Sequence, residues 1–385
     1  MSLSCLHRAT SGGLSLPEDP GSDSRPDAAA RHAPDQPMSS LAAPPGLFGP
    51  ERVWDVHAHY LPPAALDLMH SGRGVVTLDT WCGVEGNIHL NGMPVGSTLD
   101  RLASVDSILS SMDAQGVAGR VLSPPPFTYR YWNDPGASTA LCQLLNEATA
   151  AVVHRRPDRF LGLATVPLQD PDRAVEELRR AVLDLGLHGV TLGTNVDGRH
   201  VADPQFAPVL HTAADLDVPV LIHPDFTPNP RWSDHYLINL VGLPTETALC
   251  IAELVFTGRL AELDTLRLCF VHGGGALPFL LGRLRKGWEV RPEVRQATSD
   301  PPLSYLGNVF FDSLTHDLQA LRFLIDVVGV EHVVVGSDAP FDVEDPGVAD
   351  TIRRCELLTT AERDQLLHRS ILGWLDATSQ EEQRA

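Results

Sequence analysis

The strongest restriction on what this chain can fold into is a regular beat that begins at Arg52. Short runs rich in apolar and β-branched residues alternate with longer stretches of helical period. The runs are VWDVH (53–57), GRVLSP (119–124), FLGLATV (160–166), GVTLGT (189–194), VPVLIH (218–223), LRLCFVH (266–272), NVFFDSL (308–314) and HVVVGSD (332–338). The stretches between them carry helix signals. LDRLASVDSILSSMDAQG stops at a glycine, DPDRAVEELRRAVLDLG opens on a capping Asp and ends on Gly, and TETALCIAELVFTG is a third. Near-continuous apolar strands separated by helices predict a parallel sheet covered by helices. Eight such units predict an α/β chain of the (β/α)8 TIM-barrel class, and the roughly 330 residues that follow the N-terminal region fit such a barrel with insertions. A doubly wound sheet would want a G-x-G-x-x-G turn after its first strand, and none stands there.

Two insertions stand out, at 60–100 after the first strand and at 224–244 after the fifth. Both follow strand C-termini, where a barrel of this kind builds its site. Residues 1–50 are rich in Ser, Pro, Ala, Gly and Asp without periodicity. They are expected to be a disordered tail, with the barrel occupying 51–385. No basic segment followed by an apolar one opens the chain, so no signal peptide is expected. The net charge of −20 disfavours a nucleic-acid or anionic-membrane partner, since neither surface would attract it. No apolar run approaches the ~20 residues that cross a bilayer. The six cysteines lack C-x-x-C spacing, which suits a reducing, cytoplasmic setting.

The chemistry lies at the strand ends. His57 ends the first run and His59 follows two residues later, so on extended chain both imidazoles point the same way. His223 ends the fifth run, His272 the sixth and Asp338 the eighth. All five land on one rim of the expected barrel. Three imidazoles and a carboxylate suit a borderline divalent ion such as Zn²⁺, with a position left for water. Such an ion brings the pKa of its water toward neutrality, and a fourth imidazole nearby is placed to move a proton. His316 and Asp317 follow the seventh run and could support the site, while His89 and His235 fall in the insertions. The glycines of H-G-G-G (272–275) suit a close backbone approach; a lipase-type reading lacks its G-x-S-x-G partner.

This arrangement resembles the amidohydrolase superfamily, and within it the subgroup of α-amino-β-carboxymuconate-ε-semialdehyde decarboxylase. The stretches LCQLLN (141–146), GLPTET (242–247), FVHGGGALPFLLGR (270–283), VRPE (290–293) and VVGSDAPF (334–341) carry the likeness. It implies that His57, His59, His223 and Asp338 hold one divalent metal, Zn or else Mn in type, while His272 hydrogen-bonds the water on that metal and acts as acid and base. Binuclear relatives carry a carbamylated lysine after strand four. Lys286 is the only lysine here and GVTLGTNVDGR has none, so one ion is expected.

The same resemblance implies a homodimer acting on a small molecule, with Arg291 reaching the neighbouring subunit's site to bind a substrate carboxylate. A second arginine would fall near Leu99, with Arg101 two residues away. Asn239 stands where the subgroup has an aromatic, and Asp225 where Trp usually follows His-Pro. Three readings follow. The first is nonoxidative decarboxylation of a small unsaturated or aromatic carboxylic acid. The alternative is hydrolysis of an ester, thioester, amide or vinylogous carbonyl, with Asp338 taking the proton and His272 stabilising the oxyanion. The most distant is a metal-binding barrel without turnover.

Overall fold

The chain, described from a computed structural model, places all eight expected runs in one parallel sheet. Numbered along the barrel, the strands are β1 (Trp54–His59), β2 (Gly119–Ser123), β3 (Phe160–Ala164), β4 (Gly189–Gly193), β5 (Val220–His223), β6 (Leu268–Phe270), β7 (Val309–Asp312) and β8 (Val333–Val334). Each pairs with its sequence neighbour in parallel register. Backbone bonds from Val56 N to Val335 O (2.8 Å), from Asp338 N to His57 O (2.9 Å) and from His59 N to Ala339 O (2.8 Å) join β8 back to β1. The sheet is thus a closed (β/α)8 barrel. Residues 47–49, 51–69, 76–81, 84–225, 227 and 229–375 are described; the tail expected at 1–50 lies outside them apart from 47–49.

The expected helix from Leu99 is broken at Ser104, whose extended backbone divides Leu99–Ala103 from Val105–Gln115, while the caps at two helix ends form as expected. Asp170 accepts from Arg173 N at the start of the helix Pro171–Leu183. Gly116 ends the helix Val105–Gln115 in the left-handed region at φ 66°.

Two buried layers hold the barrel. Between strands and helices lie alternate strand residues such as Val190, Val220, Ile222, Phe270, Val309 and Phe311. Inside lie Val121, Leu161, Leu163, Leu221, Cys269, Val271, Phe310 and Val334, closed at one end by Ile371 and Trp374 of the helix Ser370–Leu375. Each large apolar side chain so buried contributes about 1.5–3 kcal/mol.

One local irregularity decides what β1 presents. Asp55 pairs with Arg120, but Ala58 pairs with Leu122, so β1 carries one extra residue in a bulge. Before it, Trp54 and Val56 join the inner apolar layer; after it, His57 and His59 face the mouth. Asp55 locks the bulge. It accepts from His57 N (3.1 Å), Ser337 N (3.0 Å), Ser337 Oγ (2.6 Å) and Arg120 Nε (3.1 Å), tying β1, β2 and the β8 end together.

The first insertion folds as a three-stranded antiparallel sheet, Val76–Trp81, Val84–Leu90 and Met93–Thr98. It docks beside the mouth, where Ser97 Oγ donates to Pro340 O at 2.9 Å. The second insertion runs into a π turn over Ile238–Gly242 and then the helix Leu243–Phe256. This corrects the expectation that no stretch reaches membrane-spanning length, because Ile238–Phe256 is long and apolar enough. The physical reason is its place against the barrel: Ala248, Cys250, Ile251, Leu254 and Val255 are core residues.

Candidate metal centre

The five expected groups meet at the C-terminal mouth. His57 and His59 come from β1 and His223 is the last residue of β5. His272 and Asp338 sit just beyond β6 and β8, both in the left-handed region at φ 57° and 60°. That region costs a side-chain-bearing residue on the order of 1 kcal/mol, so the surroundings must hold them. The turn after His272 is built for this. Gly273, Gly274 and Gly275 all have positive φ, and Gly275 N donates to His272 O at 2.8 Å. A Cβ on Gly274 would stand 2.6 Å from Phe311 Cδ1, and one on Gly275 would overlap the Pro244 carbonyl.

Four imidazoles then face one another. Ring centroids of His57, His223 and His272 are 5.1–5.2 Å apart, and His59 lies 5.3 Å from both His57 and His223. One ligand atom from each of His57, His59, His223 and Asp338 lies within 4.8 Å of the others, and all four residues are buried. Asp338 Oδ1 is 3.0 Å from His59 Nε2 and 3.3 Å from His57 Nε2; Oδ2 is 3.6 Å from His272 Nε2.

The ring nitrogens fit a cation. His57 Nδ1 is 2.7 Å from Asp312 Oδ2, and His223 Nδ1 is 2.8 Å from Pro224 O. His59 Nδ1 lies 3.4 Å from Ser123 Oγ. A His that commits its Nδ1 proton to such an acceptor keeps an Nε2 lone pair for a metal. The Nε2 atoms of His57 and His223 are buried without a hydrogen-bond partner, a state that is costly unless a cation meets them. Electrostatics agree. Burial alone would lower the pKa of His57, but the carboxylates of Asp338 and Asp312 outweigh it and raise it to about 10. Asp338 is held well below the usual carboxylate range: burial opposes this, and His57, His272 and His59 prevail. Burial pushes His59 down, and burial with the neighbouring imidazoles pushes His223 well down. The site therefore draws positive charge in while keeping two rings neutral. His57, His59, His223 and Asp338 could together hold one divalent ion.

A cavity of about 270 Å³ opens beside this cluster, lined by His272, Asp338, Asn239, Leu243, Phe279 and Phe323 among others. Asn239 is thus on its wall. Asp225 is buried near Tyr129 and Tyr131, away from that lining. Arg291 is 65% exposed, pairs with Glu293 and does not line the cavity of its own chain. Arg101 pairs with Glu344 at 2.5 Å. Asp317 caps the helix Leu318–Val328, while exposed His316 borders the cavity. His89 is buried in the inserted sheet and His235 is exposed.

Sequence reasoning passed over Asp312 and Phe341. Asp312 ends β7 against His57, and the Phe341 ring lies 5.1 Å from that of His59. A carboxylate closing the apolar run V-F-F-D was the available signal for the first.

Comparison with known proteins agrees with this geometry. The chain belongs to the amidohydrolase family, whose model matches residues 54–370. A 2-amino-3-carboxymuconate-6-semialdehyde decarboxylase from Dictyostelium discoideum is 33% identical over 326 residues, covering 83% of this chain and 90% of that protein. A gamma-resorcylate decarboxylase from a Rhizobium species is 30% identical over 257 residues, covering 62% of this chain and 77% of its own. Among solved structures, a 5-carboxyvanillate decarboxylase from Novosphingobium aromaticivorans has the same fold. Its TM-score is 0.74 at 20% identity, over 85% of this chain and 99% of that one, and it holds manganese and 3-methoxy-4-hydroxy-5-nitrobenzoic acid. The superfamily resemblance read from the strand ends is borne out.

Proposed function

We propose that this chain is a mononuclear, metal-dependent enzyme that removes CO₂ from a small unsaturated or aromatic carboxylic acid without oxidation. The observation that carries the reading is the convergence of His57, His59, His223 and Asp338 on one point, with a fourth imidazole, His272, between that point and the cavity. Relatives named as decarboxylases support the reaction class. Zinc and manganese both suit the donor set, and manganese is the ion in the Novosphingobium structure.

Bound there, a divalent ion supplies a Lewis acid toward a substrate oxygen and lowers the pKa of a bound water. The chain's own residues do the rest. His57, His59, His223 and Asp338 orient that centre. His272 carries the proton: the carbon that loses CO₂ keeps the bonding electron pair and takes a proton from the His272 ring, which is recharged from water. Leu243, Leu314 and Leu324 give the cavity a buried apolar lining that keeps water from a planar acid.

In this reading the chain works as a homodimer in the cytoplasm. Arg291 of one copy binds the substrate carboxylate in the other, while Asn239, on the cavity wall, shapes the pocket and Asp225, away from that wall, takes no part. The exposure of Arg291 and the buried, unpaired state of Cys142, Cys250, Cys269 and Cys355 support this.

Hydrolysis is the second reading. It is favoured by one observation: among the described residues, no arginine or lysine lines the cavity of the single chain. A crystal soaked with 2,6-dihydroxybenzoate separates the two. The decarboxylase reading expects its carboxylate against the partner's Arg291 and its ring in the cavity, against the touching Phe279–Phe323 pair. A ring that binds with the carboxylate in solvent, and no second copy at the mouth, contradicts it.

A further inference from the structure

We propose that Asp312 is a positioning residue with two separate duties: it fixes the ring of His57, and it sets the turn that carries His272. The proposal rests on the metal-dependent reading of the site.

Asp312 closes β7 and is fully buried. Its two oxygens are divided. Oδ2 lies 2.7 Å from His57 Nδ1. Oδ1 accepts from Gly273 N at 2.7 Å and from Leu314 N at 3.1 Å. The Gly273 amide belongs to the peptide that leaves His272. That bond therefore orients a peptide between two consecutive left-handed residues, His272 at φ 57° and Gly273 at φ 60°. The glycines and the Gly275 N to His272 O bond permit this turn, but a β-carbon disfavours the region at His272, so a fixed acceptor on the Gly273 amide is needed to hold it. β8 closes the third side. A Cβ on Gly336 would stand 2.6 Å from Asp312 Cβ and 2.9 Å from His57 Cβ, so the glycine lets the backbone press the pair together.

The two duties need an acceptor on both oxygens, which only an ionised carboxylate provides. An amide cannot serve both. With its oxygen toward Gly273 and Leu314, its NH₂ faces His57 Nδ1. That ring must then accept at Nδ1 and move its proton to Nε2, the atom that faces Asp338. With the amide turned over, NH₂ meets two backbone N–H donors. The Asp312→Asn protein therefore loses one duty whichever way the amide lies.

The test is a Mn²⁺ titration of the full chain, wild type against Asp312→Asn, reading the free ion by electron paramagnetic resonance, with circular dichroism for the fold. We expect Mn²⁺ binding weaker by about 10–100-fold, the usual cost of losing the carboxylate behind a metal-ligating His, with the secondary structure retained. A lowered melting temperature with wild-type Mn²⁺ affinity would show a merely structural role and overturn the proposal. If the variant does not fold, nitrogen NMR of zinc-loaded, labelled wild type decides: His57 should be protonated at Nδ1 and not at Nε2, and the reverse tautomer overturns it. A wild type that binds Mn²⁺ with the Asp312 dependence described, yet releases no CO₂ from any acid, sinks the decarboxylase reading and leaves this inference standing. A wild type that binds neither ion ends both.

Discussion

The His57→Ala protein is expected to purify without stoichiometric metal and to lose activity by about 10³-fold or more. The first half follows from geometry. His57 Nε2 is buried, makes no hydrogen bond and lies 3.3 Å from Asp338 Oδ1, so its removal takes away one of four donors and the ring that spans Asp338 and Asp312. The second half follows from chemistry, since a bound ion supplies several kcal/mol of charge stabilisation in the transition state, each ~1.4 kcal/mol being tenfold in rate. The variant also leaves Asp312, 0% exposed, with only backbone donors. Removing one member of a buried pair typically costs about 3–5 kcal/mol, so a lower melting temperature is expected as well. Metal analysis of the purified proteins reads the outcome. Unchanged metal content together with unchanged thermal stability contradicts the assignment of His57.

Replacing His272 should separate acid–base chemistry from metal binding. His272 projects from its own glycine turn with Nε2 3.6 Å from Asp338 Oδ2, and it lines the cavity beside the four metal donors. Asparagine is the apt replacement, because it tolerates the left-handed backbone that His272 adopts at φ 57°. The His272→Asn protein is expected to keep one equivalent of metal and to lose about 10²–10⁴-fold in kcat, the usual worth of a placed general acid. Since the proton moves only in the transition state, kcat and kcat/KM should fall together. A raised KM with normal kcat would instead make His272 a binding residue. Loss of metal would make it a ligand.

The five site groups were legible because a parallel barrel gathers every strand's C-terminal end on one rim, so position within a run is enough to place a side chain. What lay beyond strand ends was less legible. The bulge in β1 leaves no mark in W-D-V-H-A-H; it arises from pairing with β2, Asp55 to Arg120 and then Ala58 to Leu122. The inserted sheet did carry a signal. Asn91-Gly92 forms its tight turn at φ 52° and 80°, and Asn-Gly between apolar runs is a strong hairpin cue. Asp312 was overshadowed by His316 and Asp317 in the loop that follows it, where Asp317 proves to cap a helix. The apolar length of Ile238–Phe256 was hidden by Pro244, Glu246 and Glu253, which break the run in sequence but not the helix in space. Arg291 is a different case, since a single chain's strand order says nothing about what a second copy supplies.

The most direct test of the account follows product mass. Metal-loaded protein is incubated with 2,6-dihydroxybenzoate and other small aromatic or unsaturated carboxylic acids, beside a metal-stripped control and the His272→Asn protein. The account predicts a product lighter by the mass of CO₂, formed only in the metal-loaded wild type, with one solvent deuterium on the carbon that lost the carboxylate when the reaction runs in heavy water. A product heavier by one water, or CO₂ release undiminished in the stripped protein, contradicts it.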